Sequence, residues 1–365
     1  MNANYKTIIV KPSQAYGDLI ETTCVLKSIH KALPNLEIKV KIAEGEKRQI
    51  LEGYLKDYNG FVSELINLDY QHSQQELEID LTWYQNELPN HYGFHYTEAM
   101  LKMAEKQLSE NLNQEIALPR GIESKLIFPL EKFKRDIELG KRKLEEIIKE
   151  HPNKPIIWLG TRTAGSQNRM PQSYHPDFWT EIINNSSRNF IFYEKRGPNE
   201  ATIHPKIYPK SGESLPLAAE SEIIRASAAG IGIDGMQIHL AYALRNKKMI
   251  VLLGPTHPKA VIYPGSKSTM LTIPDLKTFE NSKPCPDIGL HGYIQCLKYS
   301  EIKKIMKIYY PNFEFNPEIQ KALEENSQDK LNKAIKNLKC PTSDCCFSQL
   351  TPQRVIEKLE SLITQ

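Results

Sequence analysis

The sequence lacks the features that place a protein in a membrane or send it out of the cell. No apolar run reaches the roughly 18 residues that a membrane-spanning helix needs. The N-terminal residues also lack the charged-then-apolar plan of a signal peptide. We therefore expect a cytoplasmic protein, and a peripheral contact with a membrane surface stays open.

An excess of charge of one sign is also absent. The 365-residue chain carries 47 basic and 44 acidic side chains without a dominant block, and its formal net charge is +3. Nucleic-acid-binding domains concentrate Lys and Arg on one surface, so nucleic acid is not an expected partner. An anionic small molecule or a polar surface partner remains open.

Cysteine is scarce until the last quarter of the chain. Of the six cysteines, only Cys24 lies in the first half, and the others are Cys285, Cys296, Cys340, Cys345 and Cys346. In a reducing compartment this clustering indicates metal ligands or plain thiols rather than disulfides. The set Cys285, Cys296, Cys340 and Cys345 suits a tetrahedral structural zinc or iron site. Because no two-residue knuckle is present, unligated thiols are the favoured alternative.

Length and periodicity predict two α/β domains with a helical tail. Apolar β-branched runs alternate with helical spacing in both halves, a pattern typical of doubly wound parallel sheets. A charged amphipathic helix over residues 132–150 and a Pro-punctuated break after it separate the halves. We place the domains at residues 1–152 and 153–310, with a helical, cysteine-containing extension over 311–365. Residues 70–120 follow no clear period, and we expect loops and short helices that line a cleft.

The turn and helix over residues 231–244 suggest a phosphorylated ligand. A helix start exposes unpaired N–H groups and the positive end of the helix dipole, and here small residues surround it. Asp234 can cap the helix or accept hydrogen bonds from a sugar, and His239 can donate to a phosphate oxygen. An ordinary βα turn with a satisfied histidine is the alternative.

Other strand ends carry polar residues where ligands bind in an open α/β sheet. Gly17 and Asp18 follow the first strand, and Asp18 can act as a general base or simply cap the next helix. In the second half, Thr161 and Arg162 end one strand, and residues 194–200 follow the next with carboxylates suited to a ribose and bases suited to phosphate. Together with the turn that begins the segment 231–244, these make three polar loops in the second half, and we expect them to converge on one site.

With these motifs in place, the chain resembles glycosyltransferase family 9, the ADP-heptose:lipopolysaccharide heptosyltransferases. Residues 11–29 match the family's opening, in which a Gly-Asp pair precedes a helix. Residues 232–244 and 251–256 look like its Asp-Ser-Gly-x-x-His-Leu-Ala-Ala-Ala block and the Phe-Gly-Pro-Thr that follows. Residues 345–355 resemble its Cys-Met-x-x-Ile-x-Pro-Glu-x-Val ending.

The resemblance implies a GT-B fold of two facing Rossmann-like domains and a heptose transfer from a nucleotide diphosphate, with ADP-heptose the expected donor. The acceptor would be a hydroxyl on lipopolysaccharide core or on a protein, and the reaction would need no metal. Asp18 would be the general base, with Gly17 and Thr22 on the acceptor side. The implied donor-binding residues are Thr161, Arg162, Gly197, Glu200, Asp234, Gly235, Met236 and His239.

Two positions depart from the family pattern. Gly235 stands where the family has Ser or Thr, which removes a hydroxyl donor, and Gln172 aligns with its phosphate-binding Lys. Arg162 or Arg169 could replace that cation, and a different nucleotide sugar is open. Some relatives that heptosylate autotransporter proteins carry a cysteine-bound metal. The resemblance therefore keeps a metal site on the C-terminal cysteines as a hypothesis.

Two other functions stay open on the sequence. A GT-B nucleotide-sugar epimerase would use the same fold without an acceptor site. A catalytically silent sugar-nucleotide-binding or assembly protein would fit the weakened donor motif. The sequence does not fix the oligomeric state.

Overall fold

The computed structural model describes residues 5–82, 95–161, 176–186, 188–195, 203–209, 213–233, 235–246, 248–253, 261–263, 270–273, 317–325, 327, 329–330, 333 and 351–364. Within them the chain forms two parallel sheets. The first has the strand order β3-β2-β1-β4 and the second β10-β9-β8-β5-β6-β7.

The first sheet consists of β1 (Thr7–Lys11), β2 (Glu37–Lys41), β3 (Val62–Ile66) and β4 (Glu76–Asp80). Its main helices are α1 (Tyr16–Ala32) and α3 (Tyr96–Leu112), with a short α2 (Gln49–Glu52). The β1 strand is almost wholly buried because it lies between β2 and β4. The chain order reverses beside β1, and in such sheets ligands bind outside the strand ends at this point.

The second sheet consists of β5 (Ile156–Gly160), β6 (Ile191–Glu194), β7 (Ile207–Tyr208), β8 (Ala229–Ile233), β9 (Met249–Leu252) and β10 (Met270–Ile273). Its helices include α4 (Leu130–Glu150), α5 (Pro176–Ser186), α6 (Leu217–Ala226) and α7 (Met236–Ala243). Counted from β5, the strand order is the 3-2-1-4-5-6 of a dinucleotide-binding fold. The predicted doubly wound second half is confirmed, and its switch point lies between β5 and β8.

The helix α4 packs with the second sheet's helices. It lies against α6 so closely that a Cβ on Gly140 would meet the carbonyl oxygen of Ala219 at 2.1 Å. This packing favours a domain boundary before α4, and we propose that boundary in place of residue 152.

The end of the chain returns to the second sheet. After α8 (Pro317–Glu324), the last helix, α9 (Pro352–Thr364), packs on α5 and buries Val355, Leu359 and Leu362 in an apolar cluster on that face. Thr351 caps α9 by accepting from the N–H of Arg354 at 3.3 Å. At least this part of the predicted extension is an integral layer of the second domain.

Residues 70–120 are more regular than predicted, since they contain β4 and the 17-residue helix α3. The β4 strand alternates Leu77 and Ile79 with three acidic residues, which strands usually avoid. Lysines of β1 and β2 neutralise them: Lys11 pairs with Asp80 at 2.7 Å, Lys39 with Glu76 at 3.1 Å and Lys41 with Glu78 at 2.6 Å. Among the described residues, no helix has the length and apolarity to cross a membrane.

Candidate functional site

The two domains meet through α1 of the first sheet and α7 of the second. These helices pack against each other, and Gly17 of α1 lies directly against the imidazole of His239 on α7. A Cβ at Gly17 would lie 2.8 Å from Cδ2 and 3.4 Å from Nε2 of His239. Glycine is therefore required here by close approach, and two predicted site residues are brought into contact.

Asp18 lies next to this contact, in the first turn of α1, and is half-buried. The N-cap position of α1 belongs to Ala15, so Asp18 is not the N-cap residue. Thr22 is fully buried, and its hydroxyl donates to the main-chain oxygen of Asp18 at 2.7 Å. This bond directs the Thr22 hydroxyl to the helix itself, and its role towards an acceptor stays a prediction.

His239 lies in a buried polar cluster between the domains. Its Nδ1 is 2.8 Å from the hydroxyl of Tyr263 and 3.2 Å from Oε1 of Glu21, which is on α1 and completely buried. His95, just before α3, places Nε2 3.7 Å from the same Glu21 oxygen. Burial, and to a lesser extent the charge of His239, lowers the pKa of His95 to about 3. His95 is therefore the neutral histidine of the cluster.

The start of α7 has the backbone features expected of an anion site. Its N-cap residue is Gly235, in an extended conformation and without a side-chain cap, and Met236 opens the helix half-buried. Because Gly235 has no side chain, the N-cap residue itself offers no cap to the first N–H groups of α7. A Cβ at Gly160 would lie 2.6 Å from Cβ of Gln237, so this glycine lets α7 begin directly over the end of β5.

The ends of β5 and β6 are joined by a buried contact. The Thr161 hydroxyl donates to the carboxylate of Glu194, and both residues are buried. Thr161 was predicted as a donor residue, and Glu194 begins the loop predicted to follow β6. Glu194 is the last residue of β6, so the contact joins two neighbouring strand ends, and the convergence of the loops beyond them stays a prediction.

A second polar cluster surrounds Lys195, directly after β6. Its Nζ lies 2.8 Å from Oε2 of Glu220 and 3.3 Å from Oε1 of Glu46, which belongs to the first domain. Glu46 also accepts from the hydroxyl of Tyr16, the first residue of α1, at 2.8 Å. Burial raises the pKa of Glu220 to about 7, although Lys195 opposes the shift. Burial alone would lower the pKa of Lys195, but Glu220 and Glu46 raise it overall.

Several predicted residues lie outside the described residues, namely Arg162, Arg169, Gln172, Gly197, Glu200, Asp234, Cys285, Cys296, Cys340 and Cys345. Within the described ranges, no group of three or more His, Cys, Asp or Glu is arranged to hold a metal. The roles predicted for all of these residues remain predictions.

Sequence reasoning missed the partners of His239 and Lys195. Glu21, His95 and Tyr263 are distant in sequence from His239, and Glu46 and Glu220 from Lys195. One signal was available: Glu21 is an acidic residue within the apolar stretch of α1. An acid on a buried helix face needs a partner, which identifies it as a candidate without naming that partner.

Comparison with known proteins gives structural matches only. No protein-family model matches the sequence, and no curated protein matches it significantly. The crystal structure of a glycosyl transferase family 9 protein from Veillonella parvula matches at 14% identity with a TM-score of 0.52, over 100% of this chain and 99% of that one. The E. coli ADP-heptose lipopolysaccharide heptosyltransferase II matches at 13% identity and a TM-score of 0.53, over 98% and 99% of the two chains.

The chain shares the fold of these glycosyltransferases. This likeness confirms the predicted GT-B architecture of two Rossmann-like domains. TibC from enterotoxigenic E. coli, a dodecameric iron-containing heptosyltransferase solved with ADP-D-β-D-heptose, also matches, at 12% identity and a TM-score of 0.52. That match covers 98% of this chain and 76% of TibC. At these identities the likeness concerns the fold.

Proposed function

We propose that this protein is a glycosyltransferase. It would transfer a heptose or a related sugar from a nucleotide-diphosphate donor, with ADP-heptose the expected one, to a hydroxyl of lipopolysaccharide core or of a protein. The shared fold supports this, because the matching structures include heptosyltransferases and one of them holds ADP-D-β-D-heptose. The motifs at Gly17–Asp18 and at residues 232–244 support it independently.

The observation that carries the proposal is the contact between Gly17 and His239. It brings a helix that bears a carboxylate in its first turn against the first turn of α7, whose N-cap residue is a glycine. A transferase of this type needs a base beside the acceptor and positive potential beside the leaving diphosphate. The two helices supply these from opposite domains.

The proposed step is a single displacement. The carboxylate of Asp18 takes the proton of the acceptor hydroxyl, whose oxygen forms a bond to the anomeric carbon of the donor sugar. The bond from that carbon to the diphosphate breaks, and the electron pair leaves with the nucleoside diphosphate. The N-terminus of α7 and His239 stabilise the charge that develops on the leaving group.

Lys195 is our candidate for the cation that the family keeps at the position of Gln172. Lys195 follows β6, which pairs with β5, one of the two strands that flank the switch point. Its ammonium group also contacts Glu46 of the first domain. Before a donor binds, the two carboxylates hold its ammonium group. A diphosphate would exchange with Glu46, the more distant of the two.

Turnover of ADP-heptose with lipid-core and protein acceptors tests the proposal when Asp18→Asn is compared with wild type. We expect kcat to fall by about 10²- to 10⁴-fold, the usual worth of a general base, while ADP affinity changes little. Asp57→Asn, at an exposed position, is the matched control. Unchanged turnover in Asp18→Asn would remove Asp18 as the base.

The same assay separates the other functions. ADP binding without turnover by wild type, with any acceptor, would favour a silent binding protein. Conversion of the nucleotide sugar to an epimer without acceptor would favour an epimerase. Either outcome would overturn the proposal that the protein is a transferase.

We also propose that Cys285, Cys296, Cys340 and Cys345 are candidates for a structural zinc or iron site. Their thiol chemistry and the iron reported for TibC support this. Metal analysis of the purified protein, with Cys340→Ser as control, tests it. Less than stoichiometric metal in wild type would end the idea.

A further inference from the structure

The buried carboxylate of Glu21 has no part in the step described above. It lies one helical turn after Asp18 on α1 and is 0% exposed. Burying a charged carboxylate is costly unless an opposite charge and hydrogen bonds compensate it. Its surroundings should therefore contain a cation.

Among the residues that the structure describes, four groups surround Glu21 and His239. His95 contributes from the start of α3, Tyr263 from the segment after β9, and Tyr242 stacks on Tyr263 with ring centroids 3.7 Å apart. Cys24 adds a buried thiol on α1, whose pKa burial raises to about 12. None of these four is a cation at neutral pH.

His95 is excluded as the cation by its hydrogen bond as well as by its low pKa. Its Nδ1 accepts from the main-chain N–H of Thr97 at 3.2 Å, so this nitrogen carries no proton. A single proton then lies on Nε2, and the ring is neutral. Of the cluster residues that the structure describes, His239 is then the candidate cation: its Nδ1 lies 3.2 Å from Oε1 of Glu21, an ion-pair distance, and hydrogen-bonds with the Tyr263 hydroxyl at 2.8 Å.

The opposite edge of the His239 ring faces the proposed reaction site. Its Cδ2 and Nε2 atoms are the ones nearest to Gly17, the residue before Asp18. A ring protonated on both nitrogens can donate from Nδ1 to the Tyr263 hydroxyl and from Nε2 to a ligand oxygen, while the Glu21 carboxylate beside Nδ1 compensates the charge of the ring. Paired in this way, the two buried groups carry no net charge.

We infer that Glu21 is a positioning residue for His239: its carboxylate forms an ion pair with the ring on the Nδ1 side and so keeps Nε2 directed towards the Gly17 end of α1, where Nε2 donates to the leaving diphosphate. This inference rests on the proposed function for the identity of the ligand. It also implies a mechanical link, because the helix that carries the base holds the donor-site histidine. Any movement of α1 away from α7 would release both.

Binding of ADP, measured by calorimetry near neutral pH, tests this role. The variants are Glu21→Gln, His239→Gln and the double variant, with Ser28→Ala as the control. Ser28 lies two turns further along α1 and is equally buried, with its hydroxyl bonded to Cys24 and Pro119 main-chain oxygens. We expect each single variant to weaken ADP binding about tenfold or more, as for a lost charged hydrogen bond. The double variant should be no weaker than His239→Gln, and Ser28→Ala should bind as wild type does.

Independent, additive losses from Glu21→Gln and His239→Gln would overturn the inference, because a positioning residue acts only through its partner. Wild-type ADP affinity in a folded Glu21→Gln protein would overturn it as well. Both outcomes leave the transferase proposal intact.

A second measurement needs no ligand. In protein labelled with ¹⁵N-histidine, the ring nitrogens of His239, assigned with His239→Gln, report which of them holds a proton. We expect a protonated Nδ1 in wild type and loss of this fixed state in Glu21→Gln. An unprotonated Nδ1 in wild type overturns the inference. If Nδ1 is protonated but the protein does not bind ADP, the pairing of Glu21 with His239 stands, and only the proposed ADP-containing donor is wrong.

Discussion

Gly17 leaves the space that the imidazole of His239 fills, and no larger residue fits there while α1 and α7 keep their separation. A Cβ at this position would meet Cδ2 of His239 at 2.8 Å, closer than real Cβ contacts allow. Since α1 also carries Asp18, the contact fixes the distance between the proposed base and the proposed donor site. The absence of a side chain at Gly17 thus sets how closely the proposed base on α1 approaches the proposed donor site at α7.

Gly17→Ala should impair transfer more than it impairs folding. The added methyl group must displace the His239 ring or separate the helices, and a shift near 1 Å in a catalytic group can cost about 10²-fold in rate. We expect kcat/KM to fall about tenfold to a hundredfold, with a stability loss of about 1–3 kcal/mol from overpacking. Steady-state kinetics and thermal unfolding measure the two effects.

The matched control for this change is Gly232→Ala, on the buried strand β8. Among the described residues, a Cβ at Gly232 would find no atom closer than 3.6 Å, which is ordinary van der Waals contact. The Gly232→Ala protein should therefore fold with nearly wild-type stability. Wild-type kinetics in Gly17→Ala would show that the two helices do not need this separation.

Lys195→Met should weaken ADP binding, because it removes the proposed phosphate cation and keeps the length of the side chain. We expect a Kd about tenfold higher, with much of the affinity restored in Lys195→Arg. Lys143→Met is a close control, since Lys143 also pairs with two glutamates, Glu146 at 3.0 Å and Glu213 at 3.2 Å, but lies on α4. Equal losses of affinity in Lys195→Met and Lys143→Met would point to general electrostatics in place of a site.

Glu220 should make stability depend on pH. Its pKa is raised from 4.5 to about 7 in the fold, chiefly by burial, so the folded state holds this proton more tightly than the unfolded state. The stability that the protonated group provides is complete below pH 4.5 and is lost as pH rises through 7, by up to about 3 kcal/mol. Glu220→Gln stays neutral, so its stability relative to wild type should increase between pH 5 and pH 8. Urea unfolding at these two pH values measures it, and a constant difference would contradict the shift.

The sequence predicts the strand ends of this fold better than the contacts between its domains. The apolar runs of β1, β5 and β8 are unmistakable because central parallel strands are buried on both faces. Once those strands are parallel, their carboxyl ends share an edge, which is why Thr161 and the end of β6 could be expected to lie together from sequence alone. The contact of Thr161 with Glu194 follows from that rule.

The pairing of Glu21 with His239 could not be predicted in this way. It depends on how α1 of one sheet docks on α7 of the other, and no periodicity within either helix encodes that docking. The strand β4 was missed for a related reason, since its acidic residues are acceptable only with Lys39 and Lys41 beside them in space. Local patterns predict elements, whereas ion pairs between elements appear only in the assembled structure.

The C-terminal helix α9 should be necessary for the stability of the second domain. Leu359 on α9 is completely buried in the apolar cluster with α5, so Leu359→Ala removes packed atoms from a core and should cost about 2–5 kcal/mol. The same substitution at Leu130, which is 57% exposed at the start of α4, should change stability by less than about 0.5 kcal/mol. Urea unfolding of both variants measures the difference. A small loss in Leu359→Ala would mean that α9 is a dispensable tail, as an appended extension would be, whereas a large loss means that the chain must return to its second sheet before that domain can hold a donor.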